Sequence, residues 1–197
     1  MSEIRLYDDQ GQRLYLTGAE RAAFLDACRQ ARPIVRTFGE TLTFTGCRIS
    51  EALELSAARI DLDSARVVIR SLKKRKDARG APRIVHRAVP VPPDYLDTLQ
   101  AVHALRQAQK RAQAASVPLW SWSRQHAWQL VREVMEAADI PPGPHRTAKG
   151  LRHSFGVHAI SSGVQLNILQ KWMGHAHIST TAIYADATGP EEQAIAE

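Results

Sequence analysis

Hydrophobic and polar residues follow two different periods along this chain. Over most of its length apolar residues recur every three or four positions, which is typical of amphipathic helices. From Ala58 to Val91 apolar and polar residues alternate instead, with many β-branched residues, which predicts short strands joined by a strongly basic turn. The pattern therefore predicts an α+β domain that is mostly helical and has one small antiparallel sheet.

Capping residues, proline and glycine mark the ends of the first helices. Thr17 and the glutamate three residues later form a capping-box signature, so a helix is predicted from there to Gln30. Pro33 suits the first turn of a second helix that runs towards Thr45, and Gly46 then interrupts the chain. The segment after Gly46, CRISEALEL, is typical of a third, amphipathic helix.

Similar signals predict the later helices. Pro92 and Pro93 open a long helix that is expected to reach about Gln113, and Ser123 caps another. From residue 147 to about residue 187 the pattern predicts a series of short helices, divided at glycines.

These patterns divide the chain into three parts. Residues 1–16 contain two β-prone runs around DDQGQ and are predicted to form a hairpin or an extended arm. Residues 17–188 are predicted to form a single domain, and residues 189–197 a short acidic tail. A chain of 197 residues is long enough to bury the core of one such domain.

The chain is basic, with a formal net charge of +6. Hydrophobic residues make up 44% and charged residues 23%, which is ordinary globular composition and argues against a disordered chain. A basic protein gains affinity for nucleic acid by releasing counterions, so the charge favours a nucleic-acid partner. A surface charge that only keeps the protein soluble is the alternative that charge alone leaves open.

The two cysteines, Cys28 and Cys47, are too few for a disulfide framework or a zinc site, and they favour a reducing compartment. The N-terminus lacks the apolar core of a signal peptide, and no apolar stretch is long enough to cross a bilayer. We therefore expect a soluble, cytoplasmic protein with no membrane contact.

Four residues capable of phosphate chemistry follow one another towards the C-terminus: Lys149, Arg152, His175 and Tyr184. Taken singly, each has a structural explanation, since an arginine is usually salt-bridged, a histidine after glycine is often a cap, and a tyrosine is usually half-buried. Together with Arg48 in TGCRISEAL, they resemble the ordered motifs of the tyrosine recombinase, or phage integrase, family. The resemblance extends from about Thr17 to Ala187.

The resemblance implies the tyrosine-recombinase catalytic-domain fold and gives each residue a role in cutting and rejoining DNA. Tyr184 would be the nucleophile that forms a 3′-phosphotyrosyl intermediate, which conserves the bond energy without ATP. Arg48 and Arg152 would each fork onto the phosphate oxygens. His175 would hydrogen-bond the phosphate and help to position or deprotonate the tyrosine.

The hairpin lysine of the family, the general acid that protonates the departing 5′ oxygen, falls in the basic turn. Lys73 is the preferred candidate because it directly follows the strand RVVIRSL, while Lys74 and Lys76 remain possible and the whole run could merely contact phosphate. The sequence has no clustered carboxylates to hold a metal, so the protein's own cations are expected to neutralise the phosphate. We expect neither a metal nor a cofactor.

One position departs from the family pattern. The family's HxxR motif begins here with Lys149, and the nearest upstream histidine, His145, is four residues too early. Lysine keeps a donor and a charge, but it is a poor base at neutral pH, which puts an acid/base role there in doubt. We expect His153 to point elsewhere and to be structural, and Trp172 to buttress His175.

The resemblance implies a site-specific DNA recombinase that acts in integration, excision, inversion or resolution. Its expected partners are double-stranded DNA, further copies of the chain in a dimer or tetramer on that DNA, and accessory DNA-binding proteins, so that it would be nucleoid-associated when bound. We expect no counterpart, before residue 17, of the N-terminal domain with which family members clamp the opposite face of DNA. A topoisomerase-like enzyme and a catalytically silent DNA-binding or regulatory protein are the alternatives.

Overall fold

The structure is a computed structural model that describes residues 5–76 and 82–185, with the side chains of residues 73–76 and 82–83 outside the description. Within these ranges the chain is mostly helical and contains one three-stranded antiparallel sheet. The predicted fold class is therefore confirmed.

The elements follow one another in chain order: α1 (Gly18–Gln30), α2 (Pro33–Thr45), α3 (Ile49–Leu53), a 3₁₀ turn (Ala57–Arg59), β1 (Ile60–Asp61), β2 (Arg66–Lys76), β3 (Pro82–Pro90), α4 (Pro93–His103), α5 (Leu105–Gln109), α6 (Ala112–Ser116), α7 (Arg124–Ala137), α8 (Ala148–Ser161), α9 (Leu166–Met173) and α10 (Ser179–Ala182). The predicted caps are present, since Thr17 forms a complete capping box at α1 and Ser123 accepts a backbone hydrogen bond at α7. Before α1, Tyr7 and Arg13 form an isolated antiparallel bridge.

The sheet has the strand order β1-β2-β3, and both neighbouring pairs are antiparallel. Alternation along β2 buries Val67 and Ile69 against the helices, and Val89 of β3 lies on the same buried face opposite Val67. The register of β2 and β3 is irregular between Ser71 and Arg75. One face of the sheet therefore closes the helical core, as an antiparallel sheet with a single covered face does.

Helix α2 is central to the helical part, where it packs against α1, α4, α7 and α8. Three of its threonines donate a hydrogen bond from the hydroxyl to the carbonyl oxygen four residues earlier, as Thr41 does to Thr37 at 2.7 Å and Thr45 to Thr41 at 2.6 Å. This burial brings the C-terminal end of α2 directly against α8. The candidate site lies at that junction.

The single helix expected from Pro92 to about Gln113 is divided into α4, α5 and α6, so that prediction was wrong. Helix α4 ends at Ala104, whose φ of 49° lies in the left-handed region. The turn directs the next residue, Leu105, into the core, where it is completely buried. Burial of a leucine is worth about 1.5–3 kcal/mol, enough to offset a strained alanine.

No helix in the part of the chain that the structure describes combines the length and the apolar character needed to cross a membrane.

Candidate active site

The end of α2 places Arg48 at the edge of the site. Gly46 has a left-handed φ of 58°, and a Cβ there would lie 2.4 Å from the ring of Phe155 on α8. Glycine suits both the conformation and the close approach. The chain therefore turns against α8 at Gly46, and Arg48 follows at the start of α3 with 46% of its side chain exposed.

Arg152 projects from α8 into the interior and ties three segments together. Its Nη1 donates to the carbonyl oxygen of Gly46 at 2.5 Å, and its Nη2 donates to the carbonyl oxygen of Met173 at 2.7 Å. The same Nη2 lies 3.3 Å from Nε2 of His175. Burial, with the charges of Arg48 and Arg87, lowers the pKa of Arg152 to about 10, so the guanidinium remains charged at neutral pH.

His175 follows Gly174, which ends α9 in the left-handed conformation with a φ of 67°. Because Arg152 donates to Nε2, the proton of the neutral ring lies on Nδ1, which donates to Oγ1 of Thr181 at 3.0 Å. Burial, then the charge of Arg152 and of other nearby arginines, lowers the pKa of His175 to about 3. The imidazole is therefore neutral and fixed in orientation.

Tyr184 lies just after α10 and is only 2% exposed. Its ring stacks on His175, with centroids 6.3 Å apart and ring planes 11° apart. Its hydroxyl oxygen lies 3.0 Å from Nδ1 of His153. Burial raises the pKa of Tyr184 to about 12, although the charges of Arg152 and Arg48 oppose the shift, so the side chain is a neutral phenol.

Glu51 and Arg87 extend the site, and the sequence analysis did not select either of them. The Glu51 carboxylate accepts bonds from Nη1 of Arg48 at 3.0 Å and from Nη2 of Arg87 at 2.7 Å. Arg87 also donates from Nε to the carbonyl oxygen of Trp172 at 2.7 Å. A sequence signal for Arg87 exists, because it takes an inward position of the alternating strand β3, two residues before buried Val89.

The two predicted lysines have different standing. Lys149 lies in the first turn of α8, exposed to solvent, and its charge acts on His153 one turn further along the helix. The backbone of Lys73 lies in β2, but its side chain, like those of Lys74 and Lys76, lies outside the described residues. The structure thus brings Arg48, Arg152, His175 and Tyr184 into one cluster, with Lys149 at the helix start beside it.

One expectation about a neighbouring side chain is corrected. His153 does not point away, because the segment after α10 folds over the side of α8 that carries His153 and brings Tyr184 to it. The support of His175 by Trp172 stays a prediction; the described ring contact of Trp172 is with Phe155, at a centroid separation of 6.5 Å, and the ring stacked on His175 is that of Tyr184.

The electrostatic balance of the cluster suits an anion. Arg48, Arg87 and Arg152 lie close enough for the charges of the first two to lower the pKa of the third. Among the described residues Glu51 is the carboxylate bonded to two of them, which leaves a surplus of positive charge beside Tyr184. Fixed guanidiniums bind phosphate oxygens through paired hydrogen bonds, so the cluster can hold a phosphodiester. Within residues 5–76 and 82–185, no group of three or more His, Cys, Asp or Glu side chains is arranged to hold a metal ion.

Comparison with known sequences connects this cluster to a family. The Phage integrase family matches residues 14–190. Tyrosine recombinase XerA of Thermococcus kodakarensis is 30% identical over 146 residues, which are 73% of this chain and 47% of that protein. Tyrosine recombinase XerD of Neisseria meningitidis is 34% identical over 145 residues, or 74% and 47% of the two chains. The chain thus spans about half the length of the curated relatives it matches.

Solved structures share the fold. The crystal structure of XerA recombinase superposes with a TM-score of 0.72 at 21% identity, covering 92% of this chain and 63% of that chain. The catalytic domain of bacteriophage HP1 integrase gives a TM-score of 0.57 at 21% identity, covering 92% and 93%. XerH site-specific recombinase, in a pre-cleavage complex with its difH substrate, gives 0.67 at 18% identity, covering 97% and 59%.

Proposed function

Because this chain belongs to the phage integrase family, we propose that it is a site-specific DNA recombinase that cuts and rejoins DNA strands through Tyr184. The observation that carries the proposal is the convergence of four distant segments on one point. Arg152 bonds both the end of α2 and the end of α9, and His175 stacks on Tyr184. A core-packing tyrosine alone would not require a buried, charged guanidinium and a fixed neutral imidazole beside it.

The proposed reaction is a transesterification at a DNA phosphate. The phenolic oxygen of Tyr184 forms a bond to phosphorus while the bond from phosphorus to the 5′ oxygen breaks. The phenol loses its proton and the departing 5′ oxygen gains one, leaving a 3′-phosphotyrosyl link and a free 5′-hydroxyl. A 5′-hydroxyl from a second strand reverses these steps and joins the new strand, so no external energy source is needed.

Arg48 and Arg152 have complementary properties for this chemistry. Arg152 is held rigidly by two carbonyl oxygens, so its charge is preorganised. Arg48 is held by Glu51 through Nη1 but is 46% exposed, so its remaining donors can meet an incoming phosphate. Preorganised donors aimed at the charge of a transition state contribute about 3–4 kcal/mol each in other enzymes. The two arginines would neutralise the non-bridging oxygens as the pentavalent transition state forms.

The lysines complete the proposed set. Lys149 lies in the first turn of α8, where the helix dipole disfavours a cation, so helix stability does not explain it. We assign it a phosphate contact in place of the family's histidine. Lys73 is proposed as the acid that protonates the departing 5′ oxygen, with Lys74 and Lys76 as the alternatives within the same strand.

Double-stranded DNA is the proposed partner, bound by two or four copies of the chain so that two sites are exchanged, with accessory DNA-binding proteins as further candidates. The proposed location is the cytoplasm, with nucleoid association when DNA is bound. Binding through phosphates should weaken steeply as salt rises.

A second candidate function is a catalytically silent DNA-binding or regulatory protein. It is favoured by Tyr184, whose hydroxyl is buried against His153.

Trapping of the covalent intermediate tests the proposal. The substrate is a pool of 5′-labelled duplexes with a randomised segment followed by a nick, so that the released 5′-hydroxyl fragment diffuses away and the adduct accumulates. Protein-linked DNA is separated on a denaturing gel and sequenced, which also supplies the target sequence. Tyr184→Phe removes the nucleophile, and Tyr7→Phe, in the N-terminal arm, is the matched control.

Adducts are expected from the wild type and from Tyr7→Phe, with none from Tyr184→Phe. Selective binding of DNA from the pool without any adduct would overturn the catalytic proposal and support the silent DNA-binding protein. Relaxation of a supercoiled plasmid without exchange between two copies of the enriched site would identify a topoisomerase-like enzyme instead.

A further inference from the structure

The contact between His153 and Tyr184 is not explained by the roles assigned so far. His153 is 2% exposed, and its Nδ1 lies 3.0 Å from the Tyr184 hydroxyl. Its other nitrogen, Nε2, is also buried and has no hydrogen-bond partner among the described residues. A buried polar atom without a partner costs about 1–3 kcal/mol, so filling of space alone does not explain a histidine at this position.

The alternative partner for the hydroxyl, His175, already has both of its nitrogens engaged. Nε2 accepts from Arg152, and Nδ1 donates to Thr181. The ring of His175 lies nearly parallel to that of Tyr184, with planes 11° and centroids 6.3 Å apart, and this contact is not a hydrogen bond to the hydroxyl. Among the described residues, the hydrogen-bond partner of the Tyr184 hydroxyl is therefore His153, which lies on α8.

The ionisation states define what this contact can do. Burial, with the charges of Lys149 and Arg152, lowers the pKa of His153 to about 3, while burial raises that of Tyr184 to about 12. Both groups are therefore neutral at pH 7, and transfer of the phenolic proton to His153 is strongly unfavourable in this state. The contact holds the direction of the oxygen and does not ionise it.

We propose that His153 is a positioning residue, which orients the nucleophilic oxygen of Tyr184 through a hydrogen bond to Nδ1. The inference rests on the proposed function of Tyr184 as the nucleophile. A helix is a rigid support, and His153 lies on the same helix as Arg152, one residue further on. The phosphate ligand and the holder of the nucleophile are thereby fixed relative to each other, which is the requirement for an in-line attack.

Three substitutions on α8 separate this role from simple packing. His153→Phe keeps a ring of similar size but removes both nitrogens. His153→Asn places an amide close to the position of Nδ1 and can restore the hydrogen bond. His158→Phe is the matched control, because His158 lies on the same helix with its side chain exposed.

The first measurement uses the protein without DNA and is therefore independent of the proposed function. Long-range ¹H–¹⁵N spectra of histidine-labelled protein report the nitrogens of each imidazole. The signals absent from the spectrum of His153→Phe are assigned to His153. Tyr184→Phe is expected to shift the Nδ1 signal of His153 and to leave that of His158 unchanged. An unshifted His153 signal overturns the proposal, whether or not the protein cleaves DNA.

The second measurement is the rate of adduct formation on the enriched DNA site. Misplacement of a reacting atom by about 1 Å can reduce a rate about 100-fold, so His153→Phe is expected to lower the rate at saturating DNA about 100-fold without changing the half-saturating DNA concentration. His153→Asn should recover at least about a tenth of the wild-type rate, and His158→Phe all of it. A wild-type rate in His153→Phe overturns the positioning role even if the spectra show the hydrogen bond. If the wild type forms no adduct, the proposed function fails, and the spectra alone decide on the contact.

Discussion

Arg87 donates a hydrogen bond of 2.7 Å to Glu51, and both side chains are almost completely buried. The same carboxylate accepts a bond of 3.0 Å from Arg48, whose side chain is nearly half exposed. Glu51 therefore links the position of an exposed arginine to that of a buried one. Because Arg87 also bonds the carbonyl oxygen of Trp172, the sheet holds the start of α3 and the end of α9 at the same time.

Replacement of Arg87 by methionine should destabilise the fold. Burial raises the pKa of Glu51, but the hydrogen bond and charge of Arg87, with those of Arg48, hold it below its ordinary value. Without Arg87 the carboxylate stays desolvated with one partner, and loss of a partner from a buried ion pair costs about 3–5 kcal/mol. We expect the free energy of unfolding in urea to fall by about 3 kcal/mol.

Two controls accompany this measurement. The double variant Arg87→Met with Glu51→Leu replaces the pair by apolar groups and should recover most of the loss, since no charge is left buried. Arg132→Ala removes an exposed partner of Glu136 and should change the unfolding free energy by less than about 1 kcal/mol. A double variant less stable than Arg87→Met would contradict the buried-charge explanation.

Replacement of Arg48 and replacement of Arg152 should reduce DNA cleavage similarly but differ in their effect on stability. Arg48→Ala is expected to lower the rate of adduct formation about 100-fold or more, because a phosphate ligand is lost, while the unfolding free energy changes by about 1 kcal/mol or less. Arg152→Ala should lower the rate similarly and also the unfolding free energy by about 3 kcal/mol, because the carbonyls of Gly46 and Met173 lose a charged donor.

Urea unfolding and the denaturing-gel assay measure the two quantities on the same preparations. Arg132→Ala, on the surface of α7, is the arginine control for both. Equal destabilisation by Arg48→Ala and Arg152→Ala would contradict the structure, in which one side chain is open to solvent and the other is buried.

Local sequence signals were sufficient for the elements that depend on nearby residues. The capping box at Thr17, the cap at Ser123 and the alternating strands before and after the basic turn all appear in the structure. The prediction of one long helix across Ala104 was wrong, because burial of Leu105 is a tertiary effect that the helical period does not reveal. The order of motifs also anticipated the cluster of Arg48, Arg152 and His175 around Tyr184.

The partners within that cluster could not be predicted from spacing. His153 follows Arg152 directly, and helical geometry separates their directions by about 100°, which suggests different surroundings. Both side chains nevertheless reach the site. The ends of α2 and α9 contact the side of α8 that carries Arg152, and the segment with Tyr184 covers the adjacent side, which carries His153. Only the fold brings these three segments together.

Gly156 should reveal how closely Tyr184 packs on α8. A Cβ at Gly156 would lie 2.5 Å from a ring carbon of Tyr184. In an ordinary helix interior, glycine to alanine stabilises by about 1 kcal/mol, but overpacking costs about 1–3 kcal/mol. We therefore expect Gly156→Ala to lower the unfolding free energy by about 1 kcal/mol in the wild type.

The effect of Gly156→Ala on the unfolding free energy should reverse its sign when Tyr184 is replaced by alanine. In Tyr184→Ala the ring is absent, so Gly156→Ala should raise the unfolding free energy by about 0.5–1 kcal/mol through helix propensity alone. The two unfolding experiments form a double-mutant cycle whose coupling energy reports the contact. A coupling energy near zero would mean that the Tyr184 ring does not rest on Gly156.

Acid should destabilise the protein through its buried histidines. His153 and His175 have pKa values of about 3 in the folded state, against an ordinary value of 6.5. Below pH 6.5 the unfolded chain therefore binds protons that the folded chain does not, so stability is full above pH 6.5 and is lost as pH falls towards 3. Each such histidine contributes a slope approaching about 1.4 kcal/mol per pH unit.

Removal of one such histidine should make the unfolding free energy depend less steeply on pH, because the unfolded chain then takes up one proton fewer. The unfolding free energy of His153→Phe, measured in urea between pH 6.5 and 4.5, should fall less steeply than that of the wild type, by a difference approaching about 1.4 kcal/mol per pH unit, since the carboxyl contribution is common to both proteins. Ile69→Val, a buried change that involves no titratable group, is the control and should lower stability by about 1 kcal/mol at every pH. Parallel curves for His153→Phe and the wild type would show that His153 takes up its proton in the fold as readily as in the unfolded chain, and a neutral hydrogen bond to Tyr184 over this pH range would then be wrong.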